Sequence, residues 1–447
     1  MIRSLVSLIV VVAASVGVVM LGSTVPVNEP AAAPTREFAV PAVEYPAACP
    51  GSLAVPVGDI DTGDDDLDAG SDDREFDVWP DGDVAPTSSG DGSIVDGPVA
   101  SVSERVGTGD IAGLASVTCV RPRDDQWLVG GSTDLGSSAR LVVTNPGNVT
   151  VEATITIYGP TGALDQQRTL AVGAQDQREL LLEGVVADVP SLVVRVEATG
   201  GGVAAVLQDS RLDGFQPDGT DWVSGVTEPA GEVIVPSIGD PEAAEDRQSG
   251  LVRLMSPDGA TVSLTMVTPD GIVAWGGTSN LELEPGVVVD VATPPGAFGS
   301  AEVEASEGTV VAGGLTRLTR EADEGLEGAI AADHAWVSGQ PRADDSERSL
   351  VVPAGQAQVH VYAAEEGTFV LTDQAGDQVA TVSMVRGNVA VLDLDVAAGT
   401  VLTAQGSFVW SVRITDEPGF LTSLAPTPVK LQDEQWSVGV APYVPNP

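Results

Sequence analysis

Residues 64–75, DDDLDAGSDDRE, carry carboxylates at the spacing of a calcium loop. Asp64, Asp66 and Asp68 stand at loop positions one, three and five, and Glu75 at position twelve, where an EF-hand places its oxygen ligands. Position six needs glycine for the sharp turn, yet Ala69 stands there and Gly70 follows one place late. Neither flank has helical periodicity. A solvated, self-repelling acidic loop is the preferred reading, and a calcium site is the alternative. No other cofactor is indicated.

Other reactive groups are few. His334 and His360 are the only histidines, and no G-x-S-x-G elbow occurs, so a Ser-His-Asp site has few ways to form. A carboxylate pair could hydrolyse glycosides, but with 65 acidic residues no two stand out. The reading is therefore non-enzymatic, with no catalytic residues named. Cys49 and Cys119 are the only cysteines; an even count in an exported chain favours a disulfide, and two free thiols are the alternative. A bridge would close a loop of about 70 residues, worth about 4 kcal/mol in the chain-entropy model.

Three features recur along the chain. Trp-x-x-Gly occurs at Trp127, Trp222, Trp336 and Trp436, spaced 95, 114 and 100 residues apart. Indole faces can stack on pyranose rings, but packing at a module edge is the preferred role. Arg211, Arg317 and Arg413 each close a strand–turn–strand pattern; they could read acidic glycans, and bracing by the chain's own carboxylates is preferred. The third feature is a strand followed by a tight turn, ending at Gly162, Gly271 and, more loosely, Gly376.

The elements that position these residues read as strands. VTVEATITIY, residues 149–158, alternates apolar and polar side chains with period two, the mark of a half-buried strand. A period near 100 residues fits one β-sandwich per repeat. The expected fold is all-β: tandem Ig-like sandwiches after an N-terminal transmembrane helix, with a β-propeller as the alternative. The expected divisions are an anchor or signal peptide over 1–22 and a Pro/Ala-rich stalk over 23–47. A degenerate β unit with an acidic insertion follows over 48–124, then repeats over 125–221, 222–335 and 336–447, the last with a C-terminal strand.

The run from Leu5 to Leu21 carries no charge and can span a bilayer with its uncharged flanks. An uncleaved single-pass anchor, with the bulk of the chain extracytoplasmic, is preferred over a cleaved signal and a secreted product. The net charge of -45 repels phosphate backbones and excludes nucleic acid as a natural partner.

The N-terminal apolar run, the stalk, the early CPG, the pattern W-x-x-G followed by LVVTNPG, and VAAVL resemble an uncharacterised family of actinobacterial exported proteins, domain of unknown function 5719. The resemblance runs from about Cys49 and is weakest in the third repeat. It implies a cell-envelope setting close to glycopolymer assembly and brings no catalytic residues with it. The expected function is a scaffold or accessory to envelope glycopolymer assembly, its partners the membrane and an envelope glycan or assembly protein. A carbohydrate- or calcium-dependent binding and adhesion module is the alternative.

Overall fold

The computed structural model describes residues 35–40, 46–55, 68, 70, 73–80, 84–97, 99–164, 167–214, 216–226, 228–240, 249–321, 330–342, 346–429 and 434–439. The fold is all-β, and one short 3-10 turn, Leu182–Gly184, is the sole helical element among the described residues. The anchor expected over 1–22 lies outside them. Among the described residues no helix is long and apolar enough to cross a membrane.

The chain forms two units. In the smaller, Thr35–Val40 pairs antiparallel with Glu434–Gly439, Phe38 opposite Trp436. Residues 35–40, within the expected stalk, thus form a strand paired with the strand Glu434–Gly439.

The larger unit contains four modules, in which outer strands alternate buried and more exposed side chains while the central strands are buried throughout. Val151–Gly159 is representative: Val151, Ala153, Ile155 and Ile157 are buried, and the intervening side chains are not. The first module pairs two three-stranded sheets between Ala47 and Thr118. In the second, a nine-stranded sheet folds over on itself at Gln216–Val226. The body of that strand pairs with Ala204–Asp213, and its last two residues, Gly225 and Val226, pair with Leu128 and Trp127. The third module has a six- and a four-stranded sheet, and the fourth a five- and a four-stranded sheet. Val, Leu, Ile and Ala dominate the cores, consistent with β-branched and small side chains filling the space between pleated sheets.

Every module carries near its C-terminal end the same device, an antiparallel pair whose second strand faces the middle of the unit. These inner strands are Gly113–Thr118, Gln216–Val226, Ile330–Ser338 and Phe420–Leu424. Each packs against the next in that order, and the fourth packs against the first, which closes a cycle. The boundaries expected at 221/222 and 335/336 fall inside the second and third inner strands. The Trp-x-x-Gly pattern there marks the end of a module, because the chain passes through the centre before starting the next one.

Candidate functional site

Of the calcium pattern, Asp64 and Asp66 lie outside the described residues. The Asp68 carboxylate accepts from the Gly70 amide at 2.9 Å, and its own amide donates to Asp110 at 2.7 Å. Gly70 has φ +61, and a Cβ there would lie 2.1 Å from the Thr108 carbonyl oxygen. The displaced glycine is thus what this left-handed turn requires. Glu75 sits on Arg74–Trp79 with its side chain exposed, opposite Arg105. Among the described residues no three His, Cys, Asp or Glu side chains gather as a metal site. Cys49 and Cys119 form a disulfide, which ties the first strand of the first module to the residue following its inner strand.

The recurrent tryptophans are on differently placed strands. Trp127 lies on Asp125–Val129, the opening strand of the second module, whereas Trp222 and Trp336 lie on inner strands and Trp436 on the terminal ribbon. Trp127, Trp222 and Trp336 are all buried. The Arg195 guanidinium stands 4.8 Å from the Trp127 ring, and those of Arg253 and Arg211 stand 5.0 Å and 5.7 Å from Trp336. These indoles serve internal packing and cation–π contacts, so they offer no open face to a sugar.

The three arginines occupy the strand that precedes each inner strand, and Arg105 holds the corresponding place in the first module. Arg211 bonds Asp209, Arg317 bonds Asp218, and buried Arg413 donates to the Gly239 carbonyl of the third module at 2.7 Å. Arg211 and Arg317 thus pair with carboxylates, while Arg413 reaches a backbone carbonyl across a module junction with the Asp240 charge nearby.

Where the inner strands converge, a polar cluster is fully buried. Asp221, on the second inner strand, accepts from the Trp336 amide at 2.7 Å, the Thr422 hydroxyl at 2.9 Å and the Ser116 amide at 3.4 Å. One carboxyl therefore joins all four modules. Asp333, on the third inner strand, accepts from the amides of Leu421 at 2.8 Å, His334 at 2.9 Å and Leu114 at 3.1 Å. Asp209 accepts from the Trp336 indole at 2.8 Å and from Arg211, with His334 Nε2 at 3.3 Å. Ser224 and Ser338 add a hydroxyl pair at 2.8 Å between the second and third inner strands.

Burial sets the acidities. It pushes the Asp333 carboxyl up to about 7 and the Asp221 carboxyl well above its ordinary range, with the Asp333 charge adding to the effect. Burial acts on Asp209 in the same sense, but Arg211 and His334 overcome it and hold that carboxyl below the usual range. His360, buried and beside Arg413, is held well below the usual imidazole value by burial first and by that cation second. The cluster can hold and release protons and tie strands together. With Asp209, Asp221 and Asp333 all 0 % exposed, it presents no surface to a substrate.

None of these three aspartates, nor Arg105, stood out in the sequence. The available signal was a charge inside an apolar run, as in AAVLQDSRL, and it carries weight only once the strand is known to be buried on both faces. The described surface also carries a groove of about 450 Å³ between the third and fourth modules, lined by Glu232, Arg342, Glu365 and Arg386 over Ala230, Pro341 and Ala364. Arg342 is fixed there by Glu232 at 2.8 Å and the Ala364 carbonyl at 3.2 Å.

The model of a family described as a family of unknown function (DUF5719) matches residues 81–407. No curated protein matches the chain. A solved structure titled "Crystal Structure of Thermotoga maritima 1070" is 14% identical with a TM-score of 0.21, covering 24% of this chain and 97% of that one. Another, the BSP domain of a biofilm associated protein, is 8% identical with a TM-score of 0.13 and covers 77% of this chain and 64% of that one.

Proposed function

We propose that this chain, which belongs to the family of unknown function DUF5719, is a non-enzymatic scaffold of the extracytoplasmic cell envelope, accessory to glycopolymer assembly. The observation that carries the scaffold reading is the closure of four modules through one buried polar cluster, in which Asp221 accepts hydrogen bonds from three other modules. Chemistry-bearing residues are committed inward: Asp209, Asp221, Asp333, His334 and the tryptophans hold strands together. A body bonded this way presents its surfaces at fixed positions, which is what an assembly platform needs.

The disulfide supports an oxidising compartment, since such bonds persist outside the reducing cytosol. An anchor over 1–22, sandwich modules of Ig type and the link to envelope glycans are parts of the proposal. The glycan link rests on family resemblance. The net charge of -45 disfavours anionic polymers and nucleic acid as ligands and suits a protein or neutral glycan partner.

The test uses the full chain in its native cell, with a photo-crosslinking residue at Leu135 or Ile272, which are 96% and 74% exposed. Adducts to envelope-assembly proteins or glycan, together with digestion of the chain by protease added to intact cells, are the expected result. A protease-protected cytosolic chain without such adducts would refute the proposal.

A further inference from the structure

We propose that Asp221 is a proton-operated latch: it carries a proton that keeps the four inner strands joined, and loss of that proton weakens the closure of the cycle. The two buried acids differ in what surrounds them. Asp333 faces amide donors alone, from Leu421, His334 and Leu114, and an amide cannot accept a proton from it. Asp221 faces the Thr422 hydroxyl at 2.9 Å, which can both donate and accept. A protonated Asp221 donates to Thr422 Oγ1, and Thr422 turns its own hydrogen to the Ser116 carbonyl at 3.5 Å. The proton thus links the second, fourth and first modules, while Asp221 still accepts from the Trp336 amide of the third.

The surrounding charges favour one proton here. The first and fourth inner strands, GLASVT and FLTSL, carry no titratable side chain. From the third inner strand come Asp333 and His334, and from the strand beside Asp221 come Asp209 and Arg211, both Arg211 and His334 being directed at Asp209. On the strands behind, Arg317 binds Asp218, Glu104 binds Arg74, Arg105 binds Asp416 and Arg413 binds the Gly239 carbonyl, and Arg320 lies over the Phe420 ring. The bonds reaching Asp221 and Asp333 come from amides and one hydroxyl. Two like charges in one dry junction repel strongly, so the acid with a proton acceptor beside it stays neutral. Burial raises the pKa of both acids, which agrees with this arrangement.

The sign follows from linkage. An acid whose folded pKa is raised stabilises the closed form while protonated, and that stability is lost as pH rises from the unfolded value through the folded one. Asp333 ionises at about pH 7, and its charge, once formed, adds to the burial that holds the proton on Asp221. The experiment compares urea unfolding of the full chain with Asp221→Asn, whose amide mimics the protonated carboxyl. The ratio of wild-type to variant unfolding constants is expected to rise about tenfold per pH unit from about pH 4, the unfolded carboxyl's value, until the Asp221 proton is lost, and then to level off. A ratio independent of pH would overturn the latch. Should the variant not fold, infrared spectra of wild-type protein with isotopically labelled aspartate decide. A protonated carboxyl band persisting above about pH 7 and titrating away on further alkalinisation supports the latch, and its absence overturns it.

Discussion

Arg105 of the first module donates to Asp416 of the fourth at 2.8 Å, joining the start of the larger unit to its end. The same guanidinium lies 5.3 Å from the Phe420 ring. The pair is partly exposed, with side-chain exposures of 26% and 39%, so solvent screens it. Asp416→Ala is expected to cost at most about 1 kcal/mol in urea titration, and less at high salt. A much larger loss would mean that this contact, and not the central cluster, holds the first module to the fourth.

The Cys49–Cys119 bond closes a loop of 70 residues that contains the acidic stretch. Its removal in a Cys49→Ser, Cys119→Ser double variant is expected to destabilise the protein by about 4 kcal/mol. Both side chains are buried, so part of the loss will come from packing. Limited proteolysis should then cut first between Ala47 and Thr118. Unchanged denaturation of the double variant would show that the first module is held by its neighbours alone.

Asp209 predicts behaviour at the acid end. Its folded carboxyl titrates below the ordinary value of 3.8, because Arg211, His334 and the Trp336 indole outweigh the cost of burial. A depressed carboxyl contributes stability above its unfolded value, and that contribution is lost as pH falls through the folded value. Wild-type protein should therefore lose stability below about pH 4, and Asp209→Asn should be less stable at neutral pH with a flatter acid limb. Thermal melting of both between about pH 2 and pH 6 checks this. Parallel acid limbs would remove Asp209 from the account.

The strands were legible because their burial alternates: the period of VTVEATITIY is the pattern of Val151–Gly159 itself. The disulfide was legible from a count of two. The tryptophan marker was less informative than its regular spacing suggested, because a four-residue pattern does not specify which strand lies opposite. Trp127 pairs across from Arg195, whereas Trp336 lies opposite Leu315. Asp221 and Asp333 were hidden among 65 acidic residues, since nothing local distinguishes a carboxyl that four modules will enclose. The late glycine of the acidic stretch counted against calcium in sequence and proves to occupy a left-handed turn.

Arg253 offers the sharpest contrast with Arg105, since its own side chain is almost wholly buried. It holds Asp290 with two bonds, at 2.7 Å and 2.9 Å, and reaches from the third module to the carbonyls of Gly131 at 2.5 Å and Leu192 at 3.3 Å in the second. Ser191 of the second module donates to the same Asp290 at 2.6 Å. With a side-chain exposure of 2%, Arg253 cannot be replaced by water from outside. Arg253→Ala should therefore cost about 3–5 kcal/mol, the range for removing one partner of a buried pair, because Asp290 and the carbonyls lose their donor together. Arg253→Met keeps most of the volume, so any cavity effect is smaller and the electrostatic loss dominates. If Met recovers nearly all the stability lost by Ala, the side chain acts chiefly as packing against Trp336. If Met is as damaging as Ala, the charge-assisted bonds fix the second module against the third.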